Sequence, residues 1–228
     1  MESTSISYEY SFFRISKIEG IQISIQKYRD LRLKALQTAP GSFSSTYEIE
    51  SAFTEADWIN ILTAPDREIF ICAATPLNQK SSDSDAVWIG QVTLRGPLSL
   101  ENFILPPESG EAPQKLDTEE ERWQMLSLFT LPEHRGHGLG ARLCQNALDF
   151  LKTCRSSPPG VQVRLIIKQG NDIAVKLYER LGFSEAGLAT LAEALVVNGD
   201  GHLLPEDRSG PKYNTRAGVI MIYRMSRS

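Results

Sequence analysis

The sequence has only three cysteines, and their arrangement excludes two common kinds of site. Cys72, Cys144 and Cys154 are an odd number at irregular separations, so they fit neither a disulfide framework nor a zinc site. We therefore expect reduced, mostly buried thiols and no metal. Such thiols indicate a reducing compartment, which is the cytoplasm or the nucleus.

Long apolar runs and long basic runs are also absent from the sequence. No stretch approaches the roughly eighteen apolar residues that a membrane span requires. The first residues, MESTSISYEYSFF, lack the basic and apolar regions of a secretory signal. The formal net charge is −4, and the lysines and arginines form no cluster of the kind that binds a phosphate backbone. We therefore expect neither a membrane nor a nucleic acid among the partners.

The length of 228 residues and a hydrophobic content of 41% fit one soluble globular domain spanning residues 1–228. Apolar periodicity and cap residues predict helices at about 23–37, 54–62 and 138–152 and one after Asn171. In the helix at 54–62, Thr54 is the expected N-cap and Asp57 stands at the third helical position. Strands are predicted at 68–74, 86–94, 123–130, 161–167 and 218–225. The polar stretch 78–85 is predicted to be a flexible loop, and 96–121 a long excursion. Residues 186–217 combine an apolar part that can pack with a surface loop. The alternation of strands and helices predicts an α/β fold.

A glycine-rich loop, RGHGLG, stands between the predicted strand 123–130 and the predicted helix 138–152. The first turn of a helix leaves main-chain N–H groups without intrahelical partners, and the helix dipole is positive at that end. Gly136, Gly138 and Gly140 lack the Cβ atoms that would keep a phosphate away from those N–H groups. Arg135 adds a guanidinium group, whose donors suit phosphate oxygens. The loop therefore predicts a site for a pyrophosphate.

Three other interpretations of the loop can be tested on the sequence. A P-loop requires a Lys and a Ser or Thr after the glycines, and neither is present. A dinucleotide site requires GxGxxG and an acidic residue at the end of the next strand, whereas this chain has GxGxG and, at that place, Lys168 and Gln169. A tight turn without a ligand remains as the simpler alternative.

Two segments resemble the signature motifs of the GCN5-related N-acetyltransferases. RGHGLG is similar to the R/Q-x-x-G-x-G/A motif of that family, and NDIAVKLYERLGF, residues 171–183, is similar to its N-x-x-A-x-x-x-Y segment followed by G-F. The two motifs stand in the family's order. The resemblance implies a motif-bearing core at about 122–187, with variable loops at 96–121 and 188–217.

The resemblance also implies a fold and a way of binding acetyl-CoA. The expected fold has a mixed, mostly antiparallel central sheet flanked by helices, in which two strands splay apart to form a groove for the acyl-CoA. The pyrophosphate would lie on the helix N-terminus, and the pantetheine arm would pair with the strand before the loop as an additional strand. The residues expected to bind the co-substrate are Leu128, Phe129, Thr130, Arg135, Gly136, His137, Gly138, Leu139, Gly140, Ala141 and Asn171.

Direct acetyl transfer requires a group that protonates the departing thiolate and a group that accepts a proton from the amine. Tyr178 falls on the family's tyrosine position and is the expected donor, although it also belongs to an apolar helical stripe that would bury it. Asn171 is equally well explained as a helix cap. Gln124 stands where many relatives have a Glu, so the proton acceptor must come from elsewhere. We select Glu121, at the start of the same strand. The alternatives are Glu119 and Glu120 beside it, and Glu48 and Glu50 on the acceptor side.

These expectations describe an N-acetyltransferase that moves acetyl from acetyl-CoA to a primary amine of a small molecule or a protein. The absence of the strand glutamate leaves a second hypothesis open, a module that binds acyl-CoA without turnover. The segments that would choose the amine carry no readable motif. The resemblance leaves monomer and homodimer equally open.

Overall fold

The structure is a computed structural model that describes residues 7–77 and 86–227. Within them, the strands are β1 (Tyr8–Arg14), β2 (Arg67–Pro76), β3 (Val87–Leu98), β4 (Glu120–Thr130), β5 (Gly160–Lys168), β6 (Ser184–Thr190) and β7 (Arg216–Ser226). The helices are α1 (Ile21–Thr38), α2 (Tyr47–Ser51), α3 (Glu55–Thr63), α4 (Leu100–Phe103), α5 (Leu139–Thr153), α6 (Asp172–Arg180), α7 (Leu191–Asn198) and α8 (Pro211–Asn214). The stretch predicted as a flexible loop, 78–85, lies outside the described residues.

The strands form one mixed sheet in the order β1-β2-β3-β4-β5-β7-β6. β4 and β5 are parallel, whereas β1 and β2, β5 and β7, and β6 and β7 are antiparallel pairs. The predicted α/β fold with a mostly antiparallel sheet and flanking helices is therefore confirmed. Among the described helices, none combines the length and the apolar character that crossing a membrane demands.

The chain divides into two compact units. The first contains Met1–Thr93 and Ser127–Asn146, and the second contains Leu94–Leu126 and Ala147–Ser228. β3, β4 and α5 therefore each contribute residues to both units. The expectation of a single acetyltransferase domain over residues 1–228 stays a prediction.

The first unit contains β1, β2, the start of β3, the end of β4, helices α1 to α3 and the start of α5. α1 buries a stripe that includes Ile25, Tyr28 and Leu31, as its periodicity predicted. α3 begins at a capping box in which the Thr54 hydroxyl accepts from the main-chain N–H of Asp57 and the Asp57 carboxylate accepts from that of Thr54. The prediction of Thr54 as the N-cap is therefore confirmed.

Two elements of the first unit were not predicted. β1 is not among the strands that the sequence predicts, although Tyr8, Tyr10 and Phe12 alternate with exposed residues along it. Because this strand lies at the end of the sheet and its aromatic side chains are only half-buried, its apolar contrast is weak. Helix α2 lies between the predicted helices 23–37 and 54–62, and it is too short to show a helical period.

The second unit contains β5, β6 and β7 and the excursion before β4. The excursion starts later than predicted, because β3 continues to Leu98, and it contains α4 and a short 3-10 turn at Pro107–Ser109. A buried ion pair holds it, in which Arg164 of β5 donates to the carboxylate of Glu111 at 2.6 Å. Arg164 also donates to the Phe103 carbonyl oxygen, so the loop closes over a charged side chain that has no exposure.

The segment after α6 also has more regular structure than the sequence indicated. β6 and α7 occupy the part read only as apolar enough to pack, and Thr190 and Glu193 form a capping box at the start of α7. Gly199, with a φ of 85°, ends that helix. The segment read as a surface loop contains a 3-10 turn at Gly201–Leu203 and the short helix α8.

Candidate functional site

The glycine-rich loop joins β4 to α5 within the first unit. It passes through a 3-10 turn at Pro132–His134, and Arg135 to Gly138 are exposed before α5 begins at Leu139. Gly136 and Gly138 have φ values of 86° and 70°, which L side chains rarely adopt, and a Cβ added at either would lie in open space. The loop therefore leaves room beside the first N–H groups of α5, which have no acceptor inside the helix.

Arg135 fixes the position of its guanidinium group through the end of β4. Its Nε donates to the main-chain carbonyl oxygen of Thr130 at 3.0 Å. The guanidinium carbon also lies 5.8 Å from the centre of the Phe129 ring. Although Arg135 is exposed, its charge is therefore held beside the loop.

The last residues of β4 present main-chain groups to both edges of the strand. The N–H of Leu131 donates to the carbonyl oxygen of Ile89 in β3 at 2.8 Å. Because successive strand residues point their main-chain groups to opposite edges, those of Leu128 and Thr130 point away from β3 and those of Phe129 point toward it. Gly90 permits this close approach, since a Cβ there would lie 3.0 Å from the Phe129 oxygen.

In the second unit, the parallel register between β4 and β5 runs from the pair Glu120–Gly160 to the pair Gln124–Arg164. Leu128, Phe129 and Thr130 lie outside that register. Ser127, just before them, has a φ of 57°, a left-handed conformation that interrupts the regular geometry of a strand.

The strand that the sequence did not reveal, β1, contacts the loop. The Tyr10 hydroxyl is 3.2 Å from Nδ1 of the buried His134, and the Tyr8 ring meets the His134 ring edge to face at 4.9 Å. The Tyr10 ring also lies 6.0 Å from that of His137. Burial lowers the pKa of His134, against the opposing influence of Glu133, so this ring is neutral at pH 7. His134 therefore anchors the start of the loop to β1.

A polar cluster surrounds Ser127, and sequence reasoning named only one of its members, Glu50. Arg32 of α1 makes a bidentate ion pair with Glu50 of α2, with N–O distances of 2.6 and 2.8 Å. Nη1 of Arg32 donates to the Ser127 hydroxyl at 3.4 Å, and the Gln91 amide donates to the Ser127 carbonyl oxygen at 3.4 Å. Glu50, one of the alternative proton acceptors, is therefore engaged by Arg32. No local signal in the sequence joins these residues, which lie far apart in the chain.

The remaining predicted residues belong to the second unit. Tyr178 is buried in α6, where its ring meets that of Phe183 edge to face at 5.4 Å. Asn171 is exposed and caps α6, since its side-chain oxygen accepts from the N–H of Ala174 at 3.3 Å. The interpretation of Asn171 as a helix cap is therefore confirmed.

Glu121 is buried at the start of β4 and has two partners in the second unit. One carboxylate oxygen accepts from the indole N–H of Trp123 at 2.8 Å, and the other lies 2.8 Å from Nη1 of Arg227. Gln124 is also fully buried. With its amide oriented to match its neighbours, its oxygen accepts from the Arg164 guanidinium and its nitrogen donates to the Arg164 carbonyl oxygen.

The cysteines agree with the expectation of reduced, mostly buried thiols. Cys72 and Cys144 are buried and Cys154 is half-buried, and all three are thiols rather than disulfides. Burial raises the pKa of Cys72 to about 11, so its thiol is unreactive at neutral pH. Across residues 7–77 and 86–227, no group of three or more His, Cys, Asp and Glu side chains is arranged to hold a metal ion.

The sheet, the strand that ends at Thr130 and the glycine-rich loop before α5 are the features of an acyltransferase of the α/β class. Residues 41–183 match the model of the acetyltransferase (GNAT) family, so the chain belongs to that family. No curated protein matches the sequence.

Solved structures of several proteins resemble the fold. Arabidopsis thaliana NAA60 in complex with a bisubstrate analogue has a TM-score of 0.54 at 12% identity, over 96% of this chain and 100% of that one. NAA60 in complex with acetyl-CoA has a TM-score of 0.54 at 15% identity, over 95% and 99%. A protein of Acinetobacter baylyi ADP1 has a TM-score of 0.53 at 11% identity, over 96% and 94%.

Proposed function

We propose that the protein is an N-acetyltransferase that moves an acetyl group from acetyl-CoA to a primary amine of a small molecule or a protein. The observation that carries the proposal is the open loop from Arg135 to Gly138 between the end of β4 and the N-terminus of α5. Membership of the acetyltransferase family and the acetyl-CoA complex of NAA60 support it.

The pyrophosphate of acetyl-CoA would bind to the loop. Main-chain N–H groups between Gly136 and Ala141, His137, Leu139 and Gly140 included, would donate to its oxygens, and the helix dipole of α5 would favour its negative charge. Arg135 would add a charged donor. Charge-assisted hydrogen bonds contribute about 1.5–3 kcal/mol each, so a few of them suffice to hold the group.

The pantetheine arm would extend along the end of β4. The main-chain groups of Leu128 and Thr130, which point away from β3, would pair with its amides as a neighbouring strand does. A main-chain N–H in the segment 128–130 would polarise the thioester carbonyl. The register between β4 and β5 ends at Gln124, and the left-handed conformation of Ser127 follows, which supports a groove here. Asn171 would add a side-chain contact to the arm in addition to its role as a cap.

In the transfer step, the neutral amine attacks the thioester carbon, a C–N bond forms and the C–S bond breaks. We assign Tyr178 as the acid that protonates the departing thiolate, because a phenol is protonated at neutral pH. We assign Glu121 as the group that receives the amine proton. Since Glu121 is paired with Arg227 and Trp123, this role requires a water molecule to carry the proton or the ion pair to open.

A second function, binding of acyl-CoA without turnover, is favoured by one observation. Glu121 and Gln124 are the acidic or amide side chains of β4 that stand nearest the family's base position. An arginine engages each of them. In this function the loop and β4 would still bind the acyl carrier, and the amine would have no role.

Release of free thiol from acetyl-CoA across a panel of amines separates the two functions. The panel should contain polyamines, aminoglycosides, lysine peptides and peptides with different N-termini, and binding of coenzyme A should be measured by titration calorimetry. Amine-dependent thiol release supports the enzyme. Binding of coenzyme A with no amine-dependent release supports the binding module, and absence of binding contradicts both.

The location and assembly of the protein are also proposals. The three reduced thiols support a cytoplasmic or nuclear location, which fractionation of cells tests. Sedimentation would distinguish a monomer from a homodimer.

A further inference from the structure

Arg32 carries a buried charge that the proposed reaction does not use. Its side chain is 11% exposed and that of its partner Glu50 is 6% exposed, and the two groups meet through both carboxylate oxygens. A buried ion pair is not in itself strong evidence for a stabilising role, because the cost of removing both charges from water offsets their attraction. The role of this pair must therefore be inferred from the other groups that Arg32 contacts.

Arg32 reaches the end of β4 by a polar route. Its Nη1 donates to the hydroxyl of Ser127, whose left-handed φ of 57° is uncommon for a residue with a side chain. Such a conformation persists where surrounding groups hold it. The Gln91 amide holds the carbonyl oxygen of Ser127, and Arg32 holds its hydroxyl. The two contacts fix the residue that directly precedes Leu128.

Arg32 also reaches the end of β4 by an aromatic route. Its guanidinium carbon lies 4.6 Å from the centre of the Phe43 ring, on the segment between α1 and α2. The Phe43 ring in turn lies 6.0 Å from that of Phe129. Phe129 is buried and belongs to the segment 128–130. The same guanidinium group therefore constrains that segment from two sides.

We infer that Arg32 is a positioning residue for acyl transfer. It holds Ser127 and Phe43 so that the main-chain groups of Leu128–Thr130 are aimed at the thioester carbonyl, while Glu50 neutralises and orients it. The inference rests on the proposed function, because it assigns Arg32 a role in polarising a bound acetyl group. The flat guanidinium fork is required, since a lysine ammonium can pair with Glu50 but cannot keep two contacts with it and also reach Ser127 and cover Phe43.

The test is the carbonyl stretching frequency of acetyl-CoA labelled with carbon-13 at the thioester carbonyl, measured by infrared difference spectroscopy on the full-length protein. This readout needs no amine acceptor. Polarisation by the segment 128–130 lowers the frequency relative to the free thioester in the wild-type protein. In Arg32→Lys the frequency should return toward that of the free thioester, while the Kd of coenzyme A stays within about threefold because the loop at Arg135 is intact. Once an amine acceptor is known, the kcat of Arg32→Lys should be about tenfold to a hundredfold below that of the wild type, with little change in the KM of the amine.

Two further variants make the result decisive. Ser127→Ala removes the polar route alone and keeps the ion pair of Arg32. It should therefore shift the carbonyl frequency in the same direction as Arg32→Lys, by a smaller amount. This variant also tests the inference if Arg32→Lys fails to fold. Arg216→Lys is the matched control, because Arg216 also makes a bidentate ion pair, with Glu193. It should leave the carbonyl frequency unchanged.

The outcomes separate the inference from the proposed function. If the wild-type protein binds acetyl-CoA and lowers its carbonyl frequency, but folded Arg32→Lys and Ser127→Ala lower it equally, the positioning role is wrong and the proposed function stands. A frequency change in Arg216→Lys as large as that in Arg32→Lys also overturns the positioning role, because any loss of an arginine fork would then suffice. If the wild-type protein does not bind acetyl-CoA, both are overturned.

Discussion

Arg135 donates a hydrogen bond from Nε to the main-chain carbonyl oxygen of Thr130, over a distance of 3.0 Å. One residue thereby joins the end of β4 to the loop before α5. Arg135 is exposed, and a Cβ added at Gly136 or Gly138 would meet nothing within 4 Å. Arg135 is thus suited to connect the part of the site proposed for the pyrophosphate with the part proposed for the pantetheine arm.

Replacement of Arg135 by alanine should weaken the binding of coenzyme A. Loss of one charge-assisted contact should raise the Kd roughly tenfold. This is the low end of the range for such contacts, because the side chain is exposed. Titration calorimetry measures it, and Arg135→Lys should restore part of the affinity because the charge remains. The KM of the amine should not change. An unaltered Kd for coenzyme A in Arg135→Ala would remove Arg135 from the binding site.

Replacement of Tyr178 by phenylalanine separates a chemical role from a packing role. Phenylalanine keeps the edge-to-face contact with Phe183, so the melting temperature and the Kd of coenzyme A should stay close to those of the wild type. If the hydroxyl protonates the thiolate, kcat should fall by about 10²- to 10⁴-fold. A steady-state rate equal to that of the wild type would show that Tyr178 is only part of the core.

Replacement of Glu121 by glutamine tests the assigned proton acceptor. The amide still accepts from Trp123, but the buried charge of Arg227 loses its ion pair, which should cost roughly 3 kcal/mol of unfolding free energy in urea. If Glu121 takes the amine proton, the dependence of kcat/KM on pH should also lose its acidic limb.

Glu120→Gln is the matched control for Glu121, since Glu120 is a buried glutamate on the same strand and lies 3.3 Å from Nε of Arg224. It should lose stability without a change in the pH profile. The same profile in Glu121→Gln and the wild type would leave the carboxylate with a structural role alone.

Local signals account for what the sequence predicted correctly. The capping box at Thr54, the cap at Asn171 and the loop glycines at 136 and 138 depend on residues a few positions apart, and each is present in the structure. Contacts between distant segments were not predicted. Arg32 meets Ser127 only after the strands have paired, and nothing in the neighbourhood of either residue indicates the other.

The sequence missed β1 and the order in the segment 96–121 for a related reason. β1 has aromatic residues in alternation, but it lies at the end of the sheet and is half-exposed. Its sequence therefore lacks the strong alternation of apolar and polar residues that predicts a strand. The excursion at 96–121 is ordered by the ion pair between Glu111 and Arg164, which the sequence shows only as one acid among many. Neither the proposed acceptor of the acetyl group nor the oligomeric state follows from local patterns.

The burial of His134 predicts a dependence of stability on pH. Because burial lowers the pKa of His134 in the folded protein, the unfolded chain takes up a proton at a pH where the folded protein does not. The contribution of this residue is therefore fully present above the ordinary pKa of histidine, about 6.5, and is lost as the pH falls below it. The unfolding free energy, measured in urea, should be lower at about pH 5.5 than at about pH 7.5.

His134→Gln should reduce this difference, since glutamine can still meet the Tyr10 hydroxyl and does not titrate. His137→Gln is the control, because His137 is exposed. An equal pH dependence in His134→Gln and the wild type would contradict the prediction.

Gly187 is where the excursion before β4 meets β6, and its replacement by alanine should destabilise the second unit. Its φ is 150°, and a Cβ there would lie 2.1 Å from the main-chain oxygen of Ser109, which is in the 3-10 turn and cannot move without shifting the loop. We expect a loss of about 2 kcal/mol or more of unfolding free energy in urea. Gly210→Ala is the control, since a Cβ there meets nothing within 4 Å and the φ of −63° suits alanine. Its effect should stay within about 0.5 kcal/mol. Equal stability of the two variants would mean that the excursion is not seated on β6 in solution.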